Sequence, residues 1–170
     1  GMFPGDPGVL APLVLNTVEL QPGQGLYQPA GELHAYLEGT GIELMANSDN
    51  VLRAGITSKH VDPDELFRVA DLSARPVDVL VPEEADGGFR CYRTPAAEFR
   101  LCVLQATDAY PVPVPGRGPR ILLCVRGGFS VSDAGKRDPI ALERGQSVCI
   151  LEEDDSDLLL SGAGTVFLAM

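Results

Sequence analysis

A chain of 170 residues, 45% of them hydrophobic and 22% charged, is long and apolar enough to bury about 70% of its unfolded surface in a core. That balance excludes a disordered tail, and the net charge of −11 argues against nucleic acid or an anionic membrane surface as partner, since both require a cationic footprint. There is no apolar run of about 18 residues and no basic-then-apolar leader, so neither a membrane span nor a signal peptide is expected, and a cytoplasmic location follows.

Gly1 ahead of Met2 reads as a remnant of tag removal, which makes Phe3 the first residue of interest. Nineteen glycines and fourteen prolines are scattered through the chain with short β-rich runs between them, the punctuation of an all-β protein. Predicted strands in the first part are Leu13 to Leu20, Gly25 to Gln28, Glu43 to Ala46 and Val51 to Ala54. One helix is predicted from Pro63 to about Leu72, with Asp62 as cap, Glu65 returning a capping-box contact and Leu66, Phe67 and Val69 as its buried stripe. The Pro-rich and acidic segment from Ser73 to Gly88 then places a boundary near Ala74.

Beyond it the predicted strands are Val77 to Val81, Phe99 to Ala106, Ile121 to Arg126, Phe129 to Ser132, Ile140 to Leu142, Ser147 to Leu151, Leu158 to Ser161 and Thr165 to Ala169. This spacing suits a sandwich or jelly roll. The loop Pro111 to Pro119 reads as a stiff, exposed connection in which a ligand role for Arg117 is the minor alternative. Cys91, Cys102, Cys124 and Cys149 show no CxxC spacing and no neighbouring histidine, and the last three sit in apolar runs. Reduced core thiols are expected. The acidic run Glu152 to Asp157 lacks the donor spacing and glycine of a calcium loop and reads as a solvated turn.

Gly23, five residues, Pro29, Ala30, Gly31, two residues and His34 fit the second metal motif of cupins, G-x5-P-x-G-x2-H, without a gap. Pro29 and Gly31 suit a tight turn that aims the His34 imidazole into a barrel. The motif would end in Asn four residues on, where this chain has Glu38. A catalytic zinc takes about three protein donors, yet the chain has two histidines, and His60 stands beside Lys59 just ahead of the helix cap, outside that site.

From His34 onward the residues HAYLEGTGIELMANSDNVLRAGITSKHVD resemble the C-terminal part of type I mannose-6-phosphate isomerases. The preceding FPGDPGVLAPLVLNTVELQPGQGLYQPAG continues the resemblance, GTVFLA fits its end, and SDNVLRAG is its most distinctive piece. The resemblance implies an all-β, double-cupin fold with one short helix. Residues 3–74 would be the C-terminal part of a catalytic cupin barrel, incomplete here, and residues 75–170 a second, metal-free cupin.

It also implies a zinc-dependent aldose–ketose isomerase that interconverts mannose 6-phosphate and fructose 6-phosphate through an enediol. His34 would be one zinc ligand, with a Gln, a His and a Glu supplied by an N-terminal half that has no counterpart here. Arg53 matches the arginine that stabilises the enediolate, Glu43 a carboxylate lining the pocket, and Lys59 a lysine near sugar or phosphate. Without the resemblance, Arg53 would read as an edge-strand arginine in a surface pair, Glu43 as an outward-facing strand residue and Lys59 as an exposed lysine before a helix. Asp49 and Asn50 read as turn formers and Tyr36 as a packing residue.

The chain on its own is therefore expected to be inactive, and the open strand edges of an incomplete barrel favour a homodimer. The alternative is a stand-alone cupin that binds a sugar without turnover. An unrelated metal-dependent cupin is the weakest reading, because two histidines leave it too few donors.

Overall fold

A computed structural model of the chain describes residues 3–48, 50–108, 110–133, 138–151 and 157–170. Asp49 of the expected turn and Glu152 to Ser156 of the acidic run lie outside the described residues. The chain separates into two compact units, Gly1–Val79 and Leu80–Met170.

The second unit is all-β, as expected. One antiparallel sheet contains β1 (Glu83–Glu84), β2 (Arg90–Cys91), β3 (Leu101–Ala106), β4 (Val112–Pro113), β5 (Arg120–Ser132), β6 (Ile140–Glu143), β7 (Ser147–Ile150) and β8 (Leu159–Ala169). The strand order is β1-β2-β3-β8-β5-β6, with β4 also on β8 and β7 also on β5. Two predicted strand pairs, 121–126 with 129–132 and 158–161 with 165–169, fuse into the long strands β5 and β8.

Fusion has a physical cause. Val125 drops out of register in a bulge between Cys124 and Arg126, and Gly127 lies opposite Gly164 in the ladder. Before the bulge the buried side chains are Arg120, Leu122 and Cys124, and after it they are Phe129 and Val131, so the extra residues switch which parity faces the core. Leu122 and Cys124 face Leu168 and Val166 across the ladder, and Phe129 covers the bare position at Gly162. Together with Phe89, Cys102, Leu104, Leu142 and Leu160 these form one buried apolar cluster.

Two expectations change here. Cys91 and Cys102 are joined in a disulfide rather than held as reduced thiols, because the β2–β3 register sets them directly opposite each other. Cys102 and Cys124 are buried as expected, whereas Cys149 is exposed. Closing a loop of 11 residues' separation stabilises by about 2–3 kcal/mol, so reduction, or Cys91→Ser, is expected to lower the melting temperature of the sheet by several degrees in a calorimetric scan. The 111–119 connection is not merely exposed. Val112 pairs with Leu160, Val114 enters the core, and the buried Arg120 guanidinium donates to the carbonyls of Gly116 (2.7 Å) and Gly118 (3.1 Å). Arg117 pairs with Asp157 at 3.1 Å.

The first unit differs more. Among its described residues none of the strands expected between Leu13 and Ala54 forms, and Val77 to Val81 forms none either. A 3-10 turn, Pro7–Leu10, leads into α1 (Ala11–Val14), where a strand was expected. The predicted helix is α2 (Pro63–Val69), capped by Asp62, whose carboxylate accepts from the Glu65 N–H at 3.1 Å. Glu65 does not return the capping contact; its side chain takes the Arg68 guanidinium at 2.6 and 2.7 Å, and of the predicted stripe only Leu66 is buried. Leu13 and Val14 are about four-fifths exposed.

Candidate functional site

The His34 turn is built on the end of α2. Gly31 adopts φ +87, closed to most side-chain-bearing residues, while the Gly31 carbonyl accepts from the Asp71 N–H at 2.9 Å. A Cβ on Gly31 would press on the Val69 carbonyl at 3.2 Å. Arg75 ties both sides together, pairing with Glu32 at 3.5 Å and with Asp71. The Asp71 carboxyl is held below its usual range, first by hydrogen bonds from Ser73 and then by Arg75.

His34 is exposed, its Nδ1 lies 3.2 Å from the Glu32 carbonyl, and its ring meets Tyr36 edge-on at 6.2 Å between centroids. Tyr36, expected to pack, is 78% exposed and donates its hydroxyl to Glu43 at 3.1 Å. Glu43 itself stands exposed on an extended segment. His34, Tyr36 and Glu43 thus form one polar group on the surface.

Loss of hydration at the Tyr36 hydroxyl, then the hydrogen bond and negative charge of Glu43, raise the phenol above its ordinary pKa. Glu43→Gln is expected to move the Tyr36 absorbance titration down toward the ordinary phenol range, with Tyr36→Phe identifying its share of the signal. Removing a carboxylate removes the repulsion that opposes phenolate formation.

Arg53 and Lys59 meet elsewhere in the first unit. They line a cavity of about 310 Å³ together with Val51, Leu52, His60 and Asp62. His60, read from the sequence as lying at the surface or behind the metal ligands rather than on the metal, lines this pocket with its imidazole. Its place was marked only by adjacency to Lys59 and to the helix cap. Asp62, the carboxylate of the wall, is engaged with the Glu65 N–H. In a chain of net charge −11, Arg53 and Lys59 bring two cationic side chains to one small cavity, beside the carboxylate of Asp62.

The residues present do not fit zinc by themselves. Among the described residues no group of three or more His, Cys, Asp or Glu side chains could hold a metal, and His34 is not among those lining the Arg53 cavity. Among the described residues no helix is long and apolar enough to cross a membrane.

No family model matches the chain. It is 32% identical over 163 residues to the mannose-6-phosphate isomerase of Escherichia coli, a match covering 95% of this chain and 41% of the relative. A probable mannose-6-phosphate isomerase of Dictyostelium discoideum is 35% identical over 144 residues, 81% of this chain and 32% of the relative. The crystal structure of Salmonella typhimurium mannose 6-phosphate isomerase bound to fructose 6-phosphate and zinc superposes with a TM-score of 0.83 at 30% identity, covering 98% of this chain and 42% of that one. The chain therefore spans about two fifths of the length of the relatives it matches. In sequence and fold the chain is thus similar, over nearly its whole length, to the C-terminal portion of mannose-6-phosphate isomerases, with a cupin-like, all-β fold.

Proposed function

We propose that this chain is the C-terminal portion of a mannose-6-phosphate isomerase, and that it contributes the pocket of Arg53, Lys59 and His60 to the isomerisation of a sugar phosphate. The observation that carries this reading is the gathering of those three residues on one small cavity, within the stretch that resembles the family most closely.

Moving a proton between adjacent sugar carbons builds negative charge on oxygen. The Arg53 guanidinium stabilises that enediolate oxygen, and Lys59, with the His60 imidazole beside it as a hydrogen-bonding group, receives the anionic end of the substrate. Glu43, joined to Tyr36, orients sugar hydroxyls from the other polar group. His34 is the chain's single donor to a zinc whose remaining ligands lie in polypeptide this chain does not span, so no step is assigned to the metal here. The isolated chain is inactive, and its uncovered apolar side chains favour pairing of two copies.

Replacing the matched segment of the Escherichia coli enzyme by this chain tests the assignment. The chimera is expected to interconvert mannose 6-phosphate and fructose 6-phosphate, to lose activity with a chelator and to regain it with zinc, while the chain alone shows no turnover. A folded chimera that binds zinc but does not turn over would overturn the assignment. Sugar binding by the chain alone, undiminished by His34→Ala and Arg53→Ala, would favour a binding module instead.

A further inference from the structure

We propose that Asp6 is a positioning residue for the Arg53–Lys59 pocket, its carboxylate clipping the turn at Gly55 and Ile56 that sets the mutual direction of those two cations. The proposal rests on the reading of that pocket as a sugar-phosphate site.

Asp6 and Ile56 are 50 residues apart in sequence, yet the Ile56 N–H donates to Asp6 Oδ2 at 2.7 Å. The other carboxylate oxygen, Oδ1, accepts from the Gly8 N–H, also at 2.7 Å. Both oxygens are therefore used, each on a backbone donor, and an amide in place of the carboxylate would turn an N–H₂ toward one of them.

Ile56 has φ +52 and is, among the described residues, the one non-glycine residue with positive φ. A β-branched residue is an outlier there and stays only where its surroundings over-determine the backbone. The surroundings are close. A Cβ on Gly55 would stand 2.7 Å from Asp6 Oδ1 and 3.3 Å from Gly8 Cα, and one on Gly8 would stand 2.9 Å from both Asp6 Oδ1 and an Ile56 side-chain carbon. Two bare glycines let the turn and the N-terminal segment touch, and the carboxylate fills the contact.

Arg53 lies three residues before Ile56 and Lys59 three after it, and the Lys59 N–H donates to Thr57 Oγ1 at 3.1 Å. Residues 51–53 line the pocket on the near side of the turn in sequence, and Lys59, His60 and Asp62 on the far side. A change of φ at Ile56 rotates one side against the other, so the carboxylate that holds this φ acts on the pocket without touching its ligand. A carboxylate that merely caps the Pro7–Leu10 turn would have no such effect.

The test uses the full chain, amide hydrogen exchange at position 56, cross-peak positions at Arg53 and Lys59, and titration with fructose 6-phosphate. Cross-peaks of the β5–β8 ladder verify folding of each variant, and Asp6→Asn replaces Asp6→Ala if the latter fails to fold. Asp6→Ala is expected to speed exchange at Ile56 about tenfold, to shift both Arg53 and Lys59, and to weaken binding about fivefold as the competent conformation is depopulated. Adding Ile56→Gly, which removes the penalty for positive φ, is expected to recover most of that affinity while exchange at position 56 stays fast. Faster exchange with unchanged affinity and unchanged Arg53 and Lys59 positions would overturn the proposal, as would loss of affinity that Ile56→Gly does not relieve. If the wild-type chain and Arg53→Ala both fail to bind the sugar phosphate, the functional reading of the pocket falls. The clip is then decided by whether the Arg53 and Lys59 positions move with Asp6→Ala and return with Ile56→Gly.

Discussion

Arg53→Ala in the chimeric isomerase is expected to lower kcat by about 10²–10³-fold with a much smaller change in KM, the signature of a group whose contact matters most in the transition state. The proton transfer creates charge on an oxygen that is neutral in the bound sugar, so a fixed cation at that point gains interaction only as the reaction proceeds. Arg53→Lys keeps the charge but loses the planar fork, and is expected to restore only part of the rate. Lys59→Ala provides the contrast. Its partner is the anionic end of the substrate, charged throughout, so its loss raises KM more than it lowers kcat. A rise in KM alone for Arg53→Ala would move Arg53 from the reacting oxygen to the substrate's anionic end.

Gly164→Ala is expected to destabilise the second unit by roughly 3–5 kcal/mol, a large part of what a domain of this size has in total. Gly164 sits on β8 at φ +135, directly opposite Gly127 of β5 at φ +75. A Cβ there would run into the Arg126 carbonyl and stand 2.9 Å from Gly127 Cα, and both obstacles are backbone that cannot rotate away. An alanine therefore meets an unfavourable φ and an immovable neighbour together, at the bulge that switches the inward parity of β5. Chemical denaturation followed by circular dichroism measures the loss. Gly145→Ala is the control: φ is also positive, at +85, but no atom lies within 4 Å of the added methyl, so only the backbone term remains, about 1 kcal/mol.

The second unit was largely legible from its residues because its strands carry their own signal. Period-2 burial marks β7 and the two halves of β5, β3 is a short apolar run buried at Cys102, Val103 and Leu104, and Gly–Pro punctuation separates them. The fusions across Gly127–Gly128 and Gly162–Gly164 were not legible. Glycine ordinarily signals a turn, whereas here it allows two strands to cross closely. The Cys91–Cys102 bond was hidden for a related reason, since register between strands is settled by the ladder and not by spacing along the chain.

In the first unit the same alternating apolar pattern misled. Residues 42–46 alternate in exposure, yet among the described residues no neighbouring strand pairs with them, so an extended segment forms without becoming part of a sheet. The helix start at Asp62 was readable because cap and helix are adjacent in sequence. The reach of Asp6 to Ile56 was not, because nothing local to either residue refers to the other.

By itself, the sequence determined the all-β class, the helix cap, the turn at Pro29–Gly31 and the resemblance to mannose-6-phosphate isomerases, all properties of contiguous residues whose backbone preferences and motif spacing are local. Tertiary structure alone decided that Arg53, Lys59 and His60 share one cavity while His34 stands with Tyr36 and Glu43, that Cys91 meets Cys102, and that Ile56 is held at positive φ. Each of these depends on where separate segments cross, and that is set by packing and hydrogen-bond closure between residues that carry no mark of one another in the chain.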